Sequence, residues 1–202
     1  MATLTVVSEG IWRWDGVDAD HGFPIVGYVV QGDGGCVLID PPGTSGTAEE
    51  VRACGRPQAI LITGRWHVRG AGKWKEAFGI PIAAPSSADD ELAEAGTSAD
   101  RHLQDGDVYL GWRAVELAAG GGAYSELALW QPQRQVLVIG DFIVAADDGK
   151  LAFGPHLFAH VPVAELRPLA QRLFDLKPRL ILSGHLGPRE DAQQLLAQFA
   201  GA

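Results

Sequence analysis

The sequence contains 202 residues, of which 47% are hydrophobic and 20% are charged, as expected for a globular protein that can bury a large core. Its 16 basic and 25 acidic residues give a formal net charge of −9. This acidic balance argues against nucleic acid or an anionic membrane as the main partner, because binding to either requires a basic face.

The first third of the chain is predicted to form β-strands. Short β-rich segments alternate with turn-like residues, and the Gly-Asp-Gly-Gly sequence at 32–35 predicts a hairpin. A capped helix is expected within residues 44–53, with Thr47 as a candidate cap and acidic residues in its first turn. The predicted strands cover residues 4–7, 11–14, 25–31 and 35–39.

The remainder of the chain alternates strands and helices. The wholly apolar run at 59–63 predicts a strand that is buried on both faces. Because no linker or change in composition divides the chain, we expect one α/β domain over residues 1–202. The other predicted elements are helices at 71–78, 88–95, 163–174 and 191–199, strands at 81–84 and 180–182, and hairpin strands within 108–117, 125–130 and 136–139.

The two cysteines lie in unlike contexts, Cys36 in an apolar strand pattern and Cys54 near a predicted helix end. A disulfide framework is therefore not expected, and two isolated thiols suit a reducing compartment. No apolar stretch reaches the roughly 18–20 residues of a membrane span, and the first 15 residues lack the pattern of a signal peptide. We expect a cytoplasmic protein without a membrane partner.

Several segments resemble, in the same order, those of the metallo-β-lactamase superfamily. Residues 35–40 are similar to the family's early strand ending in aspartate, and residues 61–63 to the strand before its metal-binding loop. Residues 125–141 resemble the hairpin that delivers a bridging aspartate, and 182–188 the final histidine loop. The resemblance implies a four-layer αβ/βα sandwich of two mixed sheets with outer helices, its active site at the sheet edges, and metal-dependent hydrolysis as the usual activity.

Most ligand positions implied by this resemblance carry residues that cannot bind a metal. The family's Thr-His-x-His-x-Asp-His-x-Gly-Gly loop aligns without gaps on residues 63–72, and only Asp141 and His185 keep ligand chemistry outside it. Glycine and valine have no donor atom, tryptophan offers only an N–H group, and arginine adds a permanent positive charge. We therefore expect no dinuclear zinc site. The replaced ligand positions are Gly64, Trp66, Val68, Arg69 and Gly122.

An ion pair and an indole are expected to take the place of the metals. Asp40 and Asp141 would be partly buried carboxylates, which are costly to bury unless another cation pairs with them. Arg69, with Arg65 as a second candidate, could supply this charge and hydrogen-bond to Asp141 in fork geometry. Trp66 is bulky enough to fill the vacated volume.

Simpler interpretations stay open for several of these residues. Asp141 could cap a turn, and His185 could be a hydrogen-bonded structural residue in a glycine-rich loop. His67 is the best candidate for a relocated ligand. The ungapped alignment places it between ligand positions, with its side chain directed away from the site, and a one-residue slip would turn it inward.

The remaining histidines and the glycine run carry weaker signals. His156 and His160 have the spacing of a ligand pair on a helix, although nearby prolines disfavour a regular helix there. His21 and His102 are expected at the surface. Residues 120–122 lack the Lys-Ser that follows the glycines of a phosphate-binding loop, so we interpret them as a loop where a histidine turn would stand.

Three functions are compatible with the sequence. We favour a metal-independent protein that binds an anionic or carbonyl small molecule in the old cleft, where arginines and exposed backbone N–H groups would contact it. The second is an esterase, lactonase or thioesterase-like hydrolase with one zinc or other divalent ion on Asp141, His185 and His67, by family analogy. The third is a structural or partner-binding domain, and a homodimer is compatible with each. The predicted cleft consists of Asp40, Gly64, Arg65, Trp66, His67, Arg69, Gly122, Asp141 and His185.

Overall fold

The computed structural model describes residues 4–18, 22, 24–146 and 148–201. The chain divides into two compact units, one formed by residues 1–104 and 109–111 and the other by 105–108 and 112–202. Each contains one large mixed β-sheet and helices, which agrees with the predicted mixed α/β class. The expectation of one domain over the whole chain stays a prediction. His21, which was expected at the surface, lies outside the described residues.

The first unit is built around a seven-stranded sheet in the order β1-β2-β3-β4-β5-β6-β7. The pairs from β1 to β4 are antiparallel, and those from β4 to β7 are parallel. The parallel order brings the carboxyl ends of β4 and β5 to the same edge of the sheet. The strands are β1 (Leu4–Ser8), β2 (Ile11–Val17), β3 (Pro24–Gly32), β4 (Gly35–Ile39), β5 (Pro57–Leu61), β6 (Ile82–Ala84) and β7 (Arg101–His102).

Three helices accompany this sheet, and local signals determine where two of them begin and end. α1 (Ala48–Ala53) starts at Thr47, which forms a reciprocal capping box with Glu50, so the predicted cap is confirmed. α2 (Ala71–Phe78) has the predicted bounds and stops at Gly79, whose φ of 63° is left-handed. α3 (Asp89–Glu94) follows a short 3-10 turn.

The apolar faces of these elements form one core. Its centre includes Trp14 and Trp74, whose rings are 4.8 Å apart, together with Val51 and Leu92 from the helices. The residues at 59–62 are fully buried, which confirms the prediction of a strand without a solvent-facing side. Cys36 and Cys54 are free and buried, and burial raises the pKa of the Cys36 thiol to about 12.

The second unit is built around a six-stranded sheet in the order β15-β14-β11-β10-β9-β8. β11 and β14 are parallel, whereas β9, β10 and β11 form an antiparallel meander. A turn of three glycines at 120–122, all with positive φ, joins β9 to β10. The strands are β8 (Val108–Tyr109), β9 (Trp112–Ala119), β10 (Tyr124–Gln131), β11 (Val136–Ile139), β14 (Leu180–Ser183) and β15 (Gly187–Arg189), with β12 (Ile143–Ala145) and β13 (Leu151–Phe153) in a separate small sheet.

Two longer helices, α5 (Val163–Asp175) and α6 (Ala192–Ala200), lie close to their predicted positions. Their apolar residues are part of the hydrophobic core of the second unit. The prediction that no regular helix carries both His156 and His160 is confirmed, because the short α4 (Gly154–Phe158) ends before His160. Pro155 lies in the first turn of α4, where no intrahelical N–H bond is lost. His160 lies beyond α4 with a φ of 53°, so it does not share a helical face with His156. None of the described helices is long and apolar enough to cross a membrane.

Candidate functional site

A buried hydrogen-bond network joins the end of β4 to the loop after β5. Asp40 is 1% exposed, and its Oδ1 accepts a hydrogen bond from the Thr63 backbone N–H at 2.9 Å. Its Oδ2 accepts one from Thr63 Oγ1 at 2.7 Å and lies 2.7 Å from Nδ1 of His67. Asp40 therefore has its partners in Thr63 and His67, which corrects the expectation that an arginine would balance it.

The ring of His67 is oriented by this network. The hydroxyl of Thr63 donates to Asp40, so Nδ1 of His67 carries a proton that it donates to the same carboxylate. In the neutral ring, the lone pair is then on the second nitrogen, Nε2. A carboxylate that fixes a histidine in this tautomer is the usual arrangement around a histidine ligand of a metal.

The orientation of His67 corrects the alignment, which directed its side chain away. The side chain is 1% exposed because Arg65–His67 forms a 3-10 turn rather than an extended loop. Three residues per turn bring His67 back over Thr63, whose Oγ1 lies 3.0 Å from Nδ1. Gly64, which the ungapped alignment places at a ligand position, is the extended residue that precedes this turn.

Arg69 lies on the same loop, and its guanidinium approaches Nε2 of His67. One terminal nitrogen of its guanidinium donates to the carbonyl of Val26 at 3.0 Å, and the other lies 3.4 Å from Nε2 of His67. The backbone of Arg69 has a φ of 40°, a left-handed conformation that costs a residue with a side chain about 1–3 kcal/mol. The predicted ion pair between Arg69 and Asp141 stays a prediction.

Arg65 and Trp66 do not occupy the predicted places. Nε of Arg65 forms an ion pair with Oε1 of Glu91 at 2.8 Å, and its guanidinium stacks over the ring of Trp66. Trp66 is 48% exposed, so its indole does not fill a buried volume. Both corrections follow from the 3-10 turn, which turns these two residues outward while it buries His67.

Asp141 follows β11, where Glu126 holds the backbone of its loop. The two carboxylate oxygens of Glu126 accept hydrogen bonds from the N–H groups of Gly140 and Asp141, at 2.7 and 2.8 Å. The hydroxyl of Tyr124 donates to Glu126 at 2.9 Å. Burial, and to a smaller extent the negative charge of Glu126, raises the pKa of Tyr124. Sequence reasoning missed this role of Glu126, for which the only signal was an acidic residue within a predicted apolar strand.

Oδ1 of Asp141, a residue that is 7% exposed, lies 2.6 Å from Nε2 of His185. His185 stands in the turn between β14 and β15, where Ser183 Oγ accepts the N–H groups of His185 and Leu186 at 3.3 and 3.1 Å. At this distance the ring N–H donates a hydrogen bond to the carboxylate, and a metal ion held by both residues would displace that proton.

The glycine run contributes no side-chain donor. Gly120, Gly121 and Gly122 have φ values of 64°, 63° and 102°, and Gly122 is exposed. The N–H of Gly120 donates to Oε2 of Glu165 at 2.9 Å. His102 is also exposed, as predicted, and its Nε2 lies 2.9 Å from a carboxylate oxygen of Asp89.

Within the part of the chain that the structure describes, His67 of the first unit and Asp141 and His185 of the second are side chains that could act as ligands of a metal ion. Each contributes one ligand atom, a ring nitrogen or a carboxylate oxygen. Two imidazoles and one carboxylate match the donor set of zinc sites that have three protein ligands and one open position.

A family model described as "Metallo-beta-lactamase superfamily" matches residues 5–171. The chain is similar in structure to DIM-1 metallo-β-lactamase, with 18% identity, a TM-score of 0.73, and coverage of 98% of this chain and 94% of that chain. It is also similar to a metallo-β-lactamase from Pontibacter korlensis, with 18% identity, a TM-score of 0.71, and coverage of 100% and 98%.

A third similar structure is FIM-1 from Pseudomonas aeruginosa in a mono-zinc form, with 15% identity, a TM-score of 0.71, and coverage of 98% and 94%. No curated protein matches the sequence. The identities to the solved structures are low, so these similarities establish the fold. Because the family model covers most of the chain, the protein belongs to the metallo-β-lactamase superfamily.

Proposed function

We propose that this chain is a metal-dependent hydrolase with one divalent ion, zinc by the chemistry of its ligands, held by His67, Asp141 and His185. The observation that carries the proposal is the presence of this donor set among the described residues. A second ion is not part of the proposal. The resemblance places residues without a metal-ligating side-chain atom at the family's other ligand positions. These residues are Gly64, Trp66, Val68, Arg69 and Gly122.

The surroundings of two of the three ligands, His67 and Asp141, support this assignment. Asp40 and Thr63 hold the ring of His67 so that Nε2 carries the lone pair. Glu126 holds the backbone from which Asp141 projects. Outer partners of this kind orient ligands before an ion arrives, and their loss typically reduces metal affinity about 10–100-fold.

The reaction class follows from the ion and from the family. A divalent ion with an open position supplies Lewis acidity that polarises a carbonyl oxygen. Esters, lactones and thioesters present such a carbonyl, and they are the substrate classes that we propose by family analogy. FIM-1 in its mono-zinc form is a solved relative of the same fold with a single zinc ion.

Metal analysis tests the proposal directly. Protein purified without added zinc and then dialysed against zinc should retain about one equivalent per chain. His185→Ala and His67→Ala should each lose it. His102→Ala is the matched control, because His102 is an exposed histidine outside the donor set, and it should retain the metal. Equal metal content in all four proteins, or none in any of them, would overturn the proposed site.

Activity is measured on the same proteins. We expect chelator-sensitive hydrolysis of at least one of three probes: p-nitrophenyl acetate, a γ-lactone and a short acyl thioester. Both ligand variants should lose it, and His102→Ala should retain it. Hydrolysis that survives metal removal would contradict the assigned mechanism.

A second candidate function is metal-independent binding of an anionic ligand, and the position of Arg69 favours it. Its guanidinium, held at the carbonyl of Val26, carries a permanent charge and N–H groups suited to a carboxylate or phosphate. Chelator-treated protein should then bind a small dicarboxylate in calorimetry, and Arg69→Ala should abolish binding. No heat of binding in metal-free protein would remove this candidate.

A further inference from the structure

Arg69 and His67 are two residues apart on one loop, and their side chains come close at Nε2 of His67, the nitrogen that would coordinate a metal ion. Nδ1 of His67 is committed to Asp40, so Nε2 is the only nitrogen with which this ring can coordinate. A terminal nitrogen of Arg69 lies 3.4 Å from Nε2. A guanidinium has donors and no acceptor, so this contact places N–H groups against the lone pair that a metal would need.

The position of Arg69 is determined by several contacts and is not that of a free surface arginine. Its other terminal nitrogen donates to Val26 at 3.0 Å. The following residue, Gly70, donates its N–H to the carbonyl of Pro41 at 3.0 Å and packs against Gly43 so closely that a Cβ would lie 2.6 Å from the Gly43 backbone. This packing holds the loop while Arg69 keeps a left-handed φ of 40°.

We propose that Arg69 determines the metal affinity of this protein, because its guanidinium covers the coordinating nitrogen of His67 and must withdraw before a divalent ion binds. The inference rests on the proposed metal site. A fixed positive charge a few ångströms from a dication also opposes binding directly. Arg69 therefore lowers the zinc affinity of this site below that of the same site without the guanidinium.

Competition between the protein and a chromophoric chelator for zinc measures this effect. Arg69→Ala should bind zinc at least about tenfold more tightly than the wild type, because both the charge and the cover on Nε2 are removed. Arg69→Met, which keeps an apolar chain in place of the arginine stem, should show the same gain. It provides the test if Arg69→Ala does not fold. Arg69→Lys should gain less, since it retains the charge.

Arg65→Ala is the matched control. It removes the same charge from the same loop, but Arg65 pairs with Glu91. Its zinc affinity should stay within about twofold of the wild type. Equal gains in Arg65→Ala and Arg69→Ala would show a general effect of loop charge and would overturn the inference.

A spectroscopic readout separates this inference from the proposed function. In ¹⁵N–¹H correlation spectra, Nε2 of His67 should shift to the metal-bound range at a lower zinc concentration in Arg69→Met than in the wild type. If neither protein shows the shift, the proposed metal site fails. If both show it at the same zinc concentration, the metal site stands and the role of Arg69 is overturned.

Discussion

Nδ1 of His67 lies 2.7 Å from Oδ2 of Asp40, and both residues are 1% exposed. The two residues are 27 positions apart in the chain. A buried carboxylate is costly without partners, and here two hydrogen bonds from Thr63 and one from the imidazole offset this cost. The same carboxylate selects the tautomer of His67, so stability and ligand orientation depend on one side chain.

Asp40→Asn should weaken both properties. The amide keeps one acceptor oxygen and places an NH₂ group against donors, so the free energy of unfolding should fall by about 1–3 kcal/mol. Zinc affinity should fall about 10–100-fold, because the His67 ring loses its orientation. Urea unfolding and chelator competition measure the two effects. Asp33→Asn, in the exposed turn between β3 and β4, should change neither, and an unchanged zinc affinity in Asp40→Asn would refute the role of Asp40.

Glu126→Gln should loosen the loop that carries Asp141. The glutamine side chain offers one acceptor oxygen where Glu126 offers two to the N–H groups of Gly140 and Asp141, so one of these groups loses its partner. We expect the free energy of unfolding to fall by about 1–3 kcal/mol, and zinc affinity to fall with it. Glu116→Gln, at an exposed position of the neighbouring strand β9, is the control for an equal change in charge. A stability loss without any change in zinc affinity would restrict Glu126 to a structural role.

Gly70→Ala should destabilise the protein by overpacking. The new Cβ would lie 2.6 Å from backbone atoms of Pro42 and Gly43, which cannot move aside as the end of a flexible side chain could. Such insertions typically cost about 1–3 kcal/mol. Gly72→Ala is a matched control in α2, where the nearest atom would be at an ordinary 3.5 Å and alanine favours the helix. Thermal denaturation should show a lower Tm for the first variant only; equal Tm values would show that the loop adjusts freely.

Asp100→Asn should have an effect that depends on pH. The hydrogen bond from Lys75 and that from the N–H of Ile82 lower the pKa of Asp100 below its ordinary value of 3.8. A lowered folded-state pKa contributes stability that is present above the unfolded-state pKa and is lost as pH falls through the folded-state pKa. The variant should therefore be less stable than the wild type at pH 7, and the difference should shrink near pH 2–3. Urea unfolding at both pH values measures it, and an equal difference at both would contradict the assignment.

Local features of the fold were predictable where the cause lies within a few residues. The helix cap at Thr47 and the bounds of α2 depend on neighbouring residues, and both were predicted correctly. Short edge elements were missed, among them β7 and β15, because two or three residues carry no periodicity. α4 was missed because proline was taken as a helix breaker rather than as a first-turn residue.

By itself, the sequence determined the superfamily, because the resemblance depends on the order of segments and on residue type alone. The absence of side-chain donors at several ligand positions stays a prediction. Only the tertiary structure decided that His67 turns inward against Asp40, that Trp66 faces solvent and that Glu126 holds the loop of Asp141. Each of these depends on a 3-10 turn or on hydrogen bonds between residues far apart in the chain. Local propensity does not encode such contacts, since their geometry exists only once the strands have paired.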